Sequence, residues 1–228
     1  MTGKPLGKII GKTAVQFLLG TSFLSALLFL AAGTTNYWQV WASVPSLMLP
    51  MSLSGLIFTV QGSGILERRR LKWGSLTPER KIYMSFVYIA ELSLLAVPAL
   101  DRRFGWSHMP PGVSAAGCAL LVLANVVWIV SKTANPYAGS AITIYEGHKL
   151  CETGPYALIR HPNYAGDLLL NLGLPLALGS WYTLLVFAAI IPAQVYMTLD
   201  EERFLRDNLP GYTEYTRKVR WRIIPGIW

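Results

Sequence analysis

The chain has 228 residues, 53% of them hydrophobic and only 14% charged, with a mean hydropathy of +0.40. Soluble domains carry about a quarter charged residues, so this composition describes a membrane protein and excludes a water-soluble class. The 20 Lys and Arg against 12 Asp and Glu would point to nucleic acid in a soluble chain, but a cationic cytoplasmic side explains them here; no nucleic acid and no metal are expected as partners, since Cys118 and Cys151 belong to no Cys/His cluster.

Lys4, Lys8 and Lys12 stand ahead of the first apolar run as in a signal peptide. That run is too long for a signal h-region and more spans follow, so a retained first helix is expected. Four apolar segments lie at about residues 14–32, 44–64, 82–100 and 112–131, each near the twenty residues that cross a bilayer as a helix. Gly55, Gly62 and Gly64 in the second allow close helix packing or a bend. Glu91 sits midway along the third. A carboxylate there either lines a substrate channel or is a hydrogen-bonded packing residue. Asn125 in the fourth span, and Asn171 further on, are expected to hydrogen-bond between helices.

Residues 168–199 are too many for one crossing, since as a single helix they would extend about 48 Å. Gly173, Pro175, Gly179 and Ser180 lie where the segment could break, which predicts a hairpin with its tip near Gly179 and Ser180. Its first arm, even starting at Tyr164, is only about 22 Å long and should pack inside protein or beside a cavity. Pro192 is expected to kink the second arm.

The expected fold is all-α: a polytopic bundle of four clear spans plus a C-terminal hairpin, about six crossings, with a cytoplasmic tail. It is one domain over 1–228, with N-terminal transmembrane helices in 1–131 and a motif-bearing region in 132–228. With the hairpin counted as two crossings, 18 of the 20 Lys and Arg fall on one side, and Arg102 and Arg103 alone on the other. Both termini should therefore be cytoplasmic. Trp38, Trp41, Trp106, Trp181 and Tyr182 fall near span ends, where such side chains anchor at the interface.

Residues 154–166 read Gly-Pro-Tyr-Ala-Leu-Ile-Arg-His-Pro-Asn-Tyr-Ala-Gly, a polar loop directly before the hairpin. After the hairpin come Asp200, Glu201 and Glu202, then Leu209-Pro210-Gly211-Tyr212 and Tyr215, and a basic end in which Lys218, Arg220 and Arg222 are expected to touch anionic lipid. Three acids placed directly after a transmembrane helix oppose its dipole, so they read as chosen for a cationic or hydroxyl-bearing ligand. Loop and tail share the cytoplasmic face. Arg160 and His161 on one wall and Glu201 and Glu202 on the other could clamp a ligand carrying both a carboxylate and an ammonium or ribose hydroxyls. The alternative is a structural salt bridge between Arg160 and a glutamate, locking loop to tail.

The pattern Gly154 to Gly166, the apolar hairpin, Glu201-Glu202 with Leu205, and Pro210-Gly211-Tyr212 with Tyr215 and a basic Pro-Gly-Ile-Trp end resemble the membrane-embedded methyltransferases of the isoprenylcysteine carboxyl methyltransferase family, especially its bacterial branch. Asn135-Pro136 and Gly147-His148 fit the same branch, and the resemblance covers about residues 130–228. It implies S-adenosyl-L-methionine as cofactor, with Tyr156, Arg160, His161, Pro162, Tyr164 and Gly166 shaping the pocket and Glu201 and Glu202 on its far side. It implies methyl transfer to a small or lipid-like hydrophobic acceptor at the cytoplasmic face of a bacterial inner membrane. Sulfonium already activates the methyl, so positioning and desolvation count for more than a strong base. Family members acting on prenylated cysteine often carry an arginine just before the paired glutamates, where this chain has Met197, Thr198 and Leu199. Asp167, directly after Gly166, is similar to a segment of sterol and steroid reductases, which implies an NADPH-dependent membrane reductase as the rival. A non-enzymatic scaffold whose tail binds anionic lipid is the third reading.

Overall fold

The computed structural model describes residues 6–61, 77–137, 144 and 147–228. Among them are seven α-helices and no strand: α1 (Leu6–Ala32), α2 (Trp38–Gln61), α3 (Pro78–Phe104), α4 (Pro111–Ala134), α5 (Pro162–Leu178), α6 (Thr183–Asn208) and α7 (Tyr212–Lys218), with a 3₁₀ turn at Gly154–Ala157. Five of these, α1 to α4 and α6, are long and apolar enough to cross a membrane. The all-helical polytopic bundle expected from the sequence is therefore present. The helices overrun their apolar runs, because twenty residues fill the hydrocarbon layer and 24 to 27 carry the chain into the headgroups.

Local chemistry sets the helix ends. Thr77 caps α3 by accepting from the Arg80 N–H, Pro78 opens its first turn, and Gly105 closes it in the left-handed region at φ 65°. The hairpin breaks at Gly179, φ 79°, whose N–H returns to the carbonyls of Pro175 and Leu176. This is the tip expected from the sequence. The second arm departs from expectation: α6 continues to Asn208, so Asp200, Glu201 and Glu202 lie inside the helix. The dipole argument for a ligand is thereby removed, since its effect is confined to the last turn.

Contacts at the two ends of the bundle define its two faces. On one, Arg102 donates to the Asn36 carbonyl at 2.7 Å, and Ser180 at the hairpin tip donates to Asp101. On the other, Arg80 at the start of α3 pairs with Asp200 near the end of α6 at 2.9 Å. The short arm α5 (17 residues) runs from one of these ends of the bundle to the other. Trp38, Trp41, Trp106, Trp181 and Tyr182 are all substantially exposed on the Asp101 face, as interfacial aromatics should be.

The core joins Leu28, Val40, Leu94, Leu121, Leu174, Ala177 and Leu178 from α1 to α5. Its tightest contact is between α4 and α5. A Cβ on Gly117 would overlap the backbone of Leu176 and Ala177, and one on Gly173 would come within 3.2 Å of the Gly117 carbonyl. Gly173 thus serves close packing rather than a break. Of the close packing or bend expected at Gly55, close packing is not found, since a Cβ placed on it would meet no atom within 4 Å, while Gly62 and Gly64 lie outside the described residues. Asn125 does not bridge helices either: its amide donates to the Leu121 carbonyl of its own helix at 2.9 Å. Asn171 is buried with an unpartnered Oδ1.

Asp101 is 1% exposed, yet its carboxylate accepts from the Ser107 N–H, the Ser107 hydroxyl and the Ser180 hydroxyl. It ties the α3–α4 connection to the hairpin tip. Asp101→Ala should cost about 3 kcal/mol, because each hydrogen bond to a charged group contributes about 1.5–3 kcal/mol and the buried Ser180 donor loses its acceptor. The check is a thermal melt followed by maleimide labelling of half-buried Cys118; an unchanged midpoint would contradict this role.

Candidate functional site

The motif loop and the tail meet on the face opposite Asp101. Arg160 N–H donates to the Trp221 carbonyl at 2.9 Å and His161 N–H to the Arg222 carbonyl at 2.8 Å, so the two segments run as hydrogen-bonded partners. Tyr215 donates to the Tyr156 carbonyl at 2.7 Å, and Asn163 to the Tyr156 hydroxyl at 3.2 Å. Leu209, Tyr212, Tyr215 and Val219 form a separate small core here with Leu150 and Leu205. Burial, first of all, pushes the Tyr156, Tyr212 and Tyr215 hydroxyls well above the ordinary phenol range, so all three stay protonated.

Glu202 is the hub. It is 2% exposed. Its Oε1 lies 2.6 Å from Arg160 Nε and 3.3 Å from His161 Nε2, and its Oε2 lies 3.2 Å from Arg222 Nε and 3.4 Å from Arg206. Arg160 also donates to the carbonyls of Val219 and Arg220 at 2.8 and 3.0 Å. Arg160 and Glu202 therefore touch, and the salt bridge joining loop to tail is the alternative that the structure displays. Arg222 is part of this network and stacks over the Trp228 ring at 5.0 Å, so it is not a solvated lipid contact. Lys218 is exposed and pairs with Glu152 at 3.3 Å.

Glu201, one residue earlier, points elsewhere. Its side chain is 27% exposed and lies 3.7 Å from His161 Nδ1. Tyr164 lies within its electrostatic reach and stacks on the His161 ring with centroids 5.4 Å apart and planes 13° from parallel. His161 is thus wedged between the two glutamates, with one ring nitrogen toward each. Asp200 completes the acidic triplet by pairing with Arg80.

Of the residues singled out from the sequence, Arg160, His161, Tyr164, Glu201 and Glu202 come together. Pro162 opens α5, and Tyr156 pins the loop to the tail. Gly166 faces away: a Cβ there would lie 2.5 Å from Trp128 Cδ1, and the Trp128 N–H reaches the Asn163 carbonyl at 3.1 Å. Two further residues reach the cluster. Tyr212 is 3% exposed, its hydroxyl has no hydrogen-bond partner among the described residues, and Glu202, Glu201 and Arg160 all act on it. Tyr83 of α3 lies in the fields of Asp167, Glu91 and Glu201. The Pro-Gly-Tyr motif pointed toward Tyr212. Nothing near Tyr83 marks it in the sequence, because it sits in an ordinary aromatic-rich apolar run.

Fold and cluster together define a polytopic helical membrane protein with a buried Arg–His–Glu network joining loop and tail at one face. Residues 115–207, from within α4 almost to the end of α6, match the model of the Isoprenylcysteine carboxyl methyltransferase (ICMT) family. The chain is also similar to the Delta(14)-sterol reductase TM7SF2 of Mus musculus, 31% identical over 87 residues that cover 36% of this chain and 20% of that protein. It is similar to a probable 7-dehydrocholesterol reductase of Acanthamoeba polyphaga mimivirus, 36% identical over 90 residues that cover 35% and 19%. The matched stretches span about a fifth of each of these relatives.

Proposed function

We propose that the protein transfers a methyl group from S-adenosyl-L-methionine to a hydrophobic acceptor, with the motif face on the cytoplasmic side of a bacterial inner membrane. The observation that carries this reading is the cluster of Glu201, His161, Tyr164 and Tyr212 beside the Arg160–Glu202 bridge, within and next to the family match. The residues suit the cofactor. Buried, unpartnered polar atoms ask for a polar ligand, and Tyr212 Oη and Asn163 Oδ1 are two such atoms at this face. Glu201 is a half-buried carboxylate with no guanidinium partner among the described residues, fit to receive an ammonium or ribose hydroxyls.

The cofactor supplies an activated methyl group. The chain's part is to bind, orient and keep water out. Arg160 and Glu202 fix the loop against the tail, so that His161 and Tyr164 hold Glu201 in one orientation. No strong base is required when an acceptor is already nucleophilic, and positioning carries most of the rate. His161, stacked and flanked by two carboxylates, is an orienting group in this scheme.

Glu201→Gln removes the carboxylate without disturbing the Glu202 network. It should weaken S-adenosylhomocysteine binding about ten-fold or more, the value of one charge-assisted hydrogen bond, while the melting midpoint stays within a degree or two. Calorimetric titration of purified protein with S-adenosylhomocysteine and with NADPH checks the reading as a whole. Tight NADPH binding with no response to S-adenosylhomocysteine would replace it by the second reading, a membrane reductase of a polycyclic or isoprenoid lipid. That rival rests on the partial similarity to the two sterol reductases and on Asp167.

A further inference from the structure

The end of the bundle opposite the motif loop holds a cavity of about 200 Å³ between Tyr37, Gln39, Asp101, Arg102, His108 and Gly179. That is room for about six waters at about 30 Å³ each, or for one small polar headgroup. The methyl-transfer reading makes no use of it, because the Glu202 network and Tyr164 lie at the other end.

The floor of the cavity is already satisfied. Asp101 takes its three donors from Ser107 and Ser180, and the Tyr37 hydroxyl donates to the Leu178 carbonyl at 2.5 Å. The walls are not. Arg102 is exposed, spends one N–H on the Asn36 carbonyl at 2.7 Å and forms no ion pair among the described residues, which leaves most of its guanidinium donors unused. The half-buried Gln39 amide makes no hydrogen bond among the described residues. It is held against the hairpin tip, where a Cβ on Gly179 would lie 2.9 Å from its Nε2. His108 is exposed, and of its polar atoms only the backbone carbonyl is bonded, by the Trp181 indole N–H at 3.1 Å.

Charge selects the ligand. The segments that join helices at this end, residues 33–37, 105–110 and 179–182, contain no Asp, Glu, Lys or Arg, so Asp101, Arg102 and Arg103 carry its full charges. Asp101 is buried under its donors, while Arg102 opens into the cavity. Helix α2 begins at Trp38 beside it, and the positive end of its dipole acts in the same sense. The cavity therefore suits an anion. Its depth in the membrane suits a lipid: Trp38 lines it and is exposed together with Trp41, one turn further along α2, at the level where aromatic side chains meet headgroups.

We propose that this cavity binds the phosphodiester headgroup of an anionic phospholipid from the leaflet opposite the motif face. Arg102 grips the phosphate oxygens through its unused N–H groups, a charge-assisted contact that its planar fork favours. The Gln39 amide and the His108 ring take the headgroup hydroxyls, and an acyl chain lies along Trp38 and Trp41. A zwitterionic headgroup fits less well, because its ammonium would stand beside Arg102 and the one nearby carboxylate already has three donors. The bound lipid touches α2, the end of α3, the α3–α4 connection and the hairpin tip at once, so it fastens four segments together and raises the stability of the folded chain. The proposal is independent of the methyl-transfer reading.

The test uses the delipidated full chain in detergent, with native mass spectrometry reading the affinity of the first lipid bound and thermal melts reading its effect. Four probes are compared: dioleoyl phosphatidylglycerol, dioleoyl phosphatidylcholine, dioleoylglycerol and glycerol phosphate. Phosphatidylglycerol should bind at least ten-fold tighter than each of the others and raise the midpoint in a dose-dependent way. Arg102→Gln should weaken it about ten-fold, the value of a charge-assisted contact. Arg103→Gln, whose side chain reaches the Ala31 carbonyl and does not line the cavity, should change it less than two-fold. His108→Ala removes an exposed ring without a hydrogen bond, so the fold tolerates it, and should weaken binding about three-fold; it decides the matter if Arg102→Gln does not fold. Equal binding of phosphatidylglycerol and phosphatidylcholine overturns the proposal, as does equal loss in Arg102→Gln and Arg103→Gln. Glycerol phosphate binding as tightly as the lipid replaces the lipid by a soluble phosphate ester and overturns it too. So does a first lipid that is lost on Arg220→Gln in the tail but kept on Arg102→Gln and His108→Ala.

Discussion

Glu202→Ala is expected to lower the melting midpoint by about 10 °C and to release the tail from the motif loop. The carboxylate is 2% exposed and Arg160 6%, so removing one partner leaves an uncompensated charge in a dry site, at a cost of about 3–5 kcal/mol. For a chain of this size each kcal/mol shifts the midpoint by about 2–4 °C. Arg222 would lose its carboxylate too, whereas Arg206, whose side chain is 47% exposed, contributes little. Faster proteolysis within residues 209–228 would report the loosened tail, and S-adenosylhomocysteine binding should fall with it, since His161 loses one of its two flanking carboxylates. The double variant Arg160→Met, Glu202→Met separates charge from packing. It should recover more than half of the lost stability, because apolar replacement of a buried pair is often neutral, but not the binding. A single variant that melts like the wild type would show that the bridge is not what fastens the tail.

Gly117→Ala should be nearly as damaging, although it adds one methyl group. That Cβ would fall inside contact distance of the backbone of Leu176 and Ala177, and backbone cannot rotate away as a side chain can. Helices α4 and α5 must then separate, loosening Leu121 against Leu174 and Ala177 in the core, for about 1–3 kcal/mol or more of overpacking strain. Helix α5 carries Tyr164 near its first turn, so displacing it also moves the ring stacked on His161. Gly55→Ala is the control. It lies inside α2 with open space around it, and alanine there should be neutral or stabilising by up to about 1 kcal/mol. Thermal melts of the two variants side by side check the contrast, and equal midpoints would refute the close approach.

Sequence reading reached the site unevenly, for identifiable reasons. Arg160, His161, Glu201 and Glu202 stand out because charged groups are rare in this chain and are adjacent within two short segments. Their pairing was open, and whether Arg160 faced a glutamate or a ligand turned on how α6 is rotated about its axis. Glu201 and Glu202, neighbours in the chain, differ by about 100° on the helix; one is buried among three arginines and the other half exposed beside Tyr164. Gly55 and Gly117 are indistinguishable as letters in apolar runs, yet only Gly117 has another backbone against it.

The sequence by itself determined the membrane class, the all-helical bundle, the hairpin tip at Gly179 and the separation of Arg102 and Arg103 from the motif loop. These follow from the length of apolar runs, from left-handed glycine and from counts of cations, all of which are local and additive along the chain. Only the tertiary structure decided that Arg160 meets Glu202 across 42 residues, that Gly166 turns to Trp128, and that Tyr83 reaches the cluster from α3. Those depend on the relative rotation and register of helices far apart in sequence, which close packing of the whole bundle sets and no single segment contains.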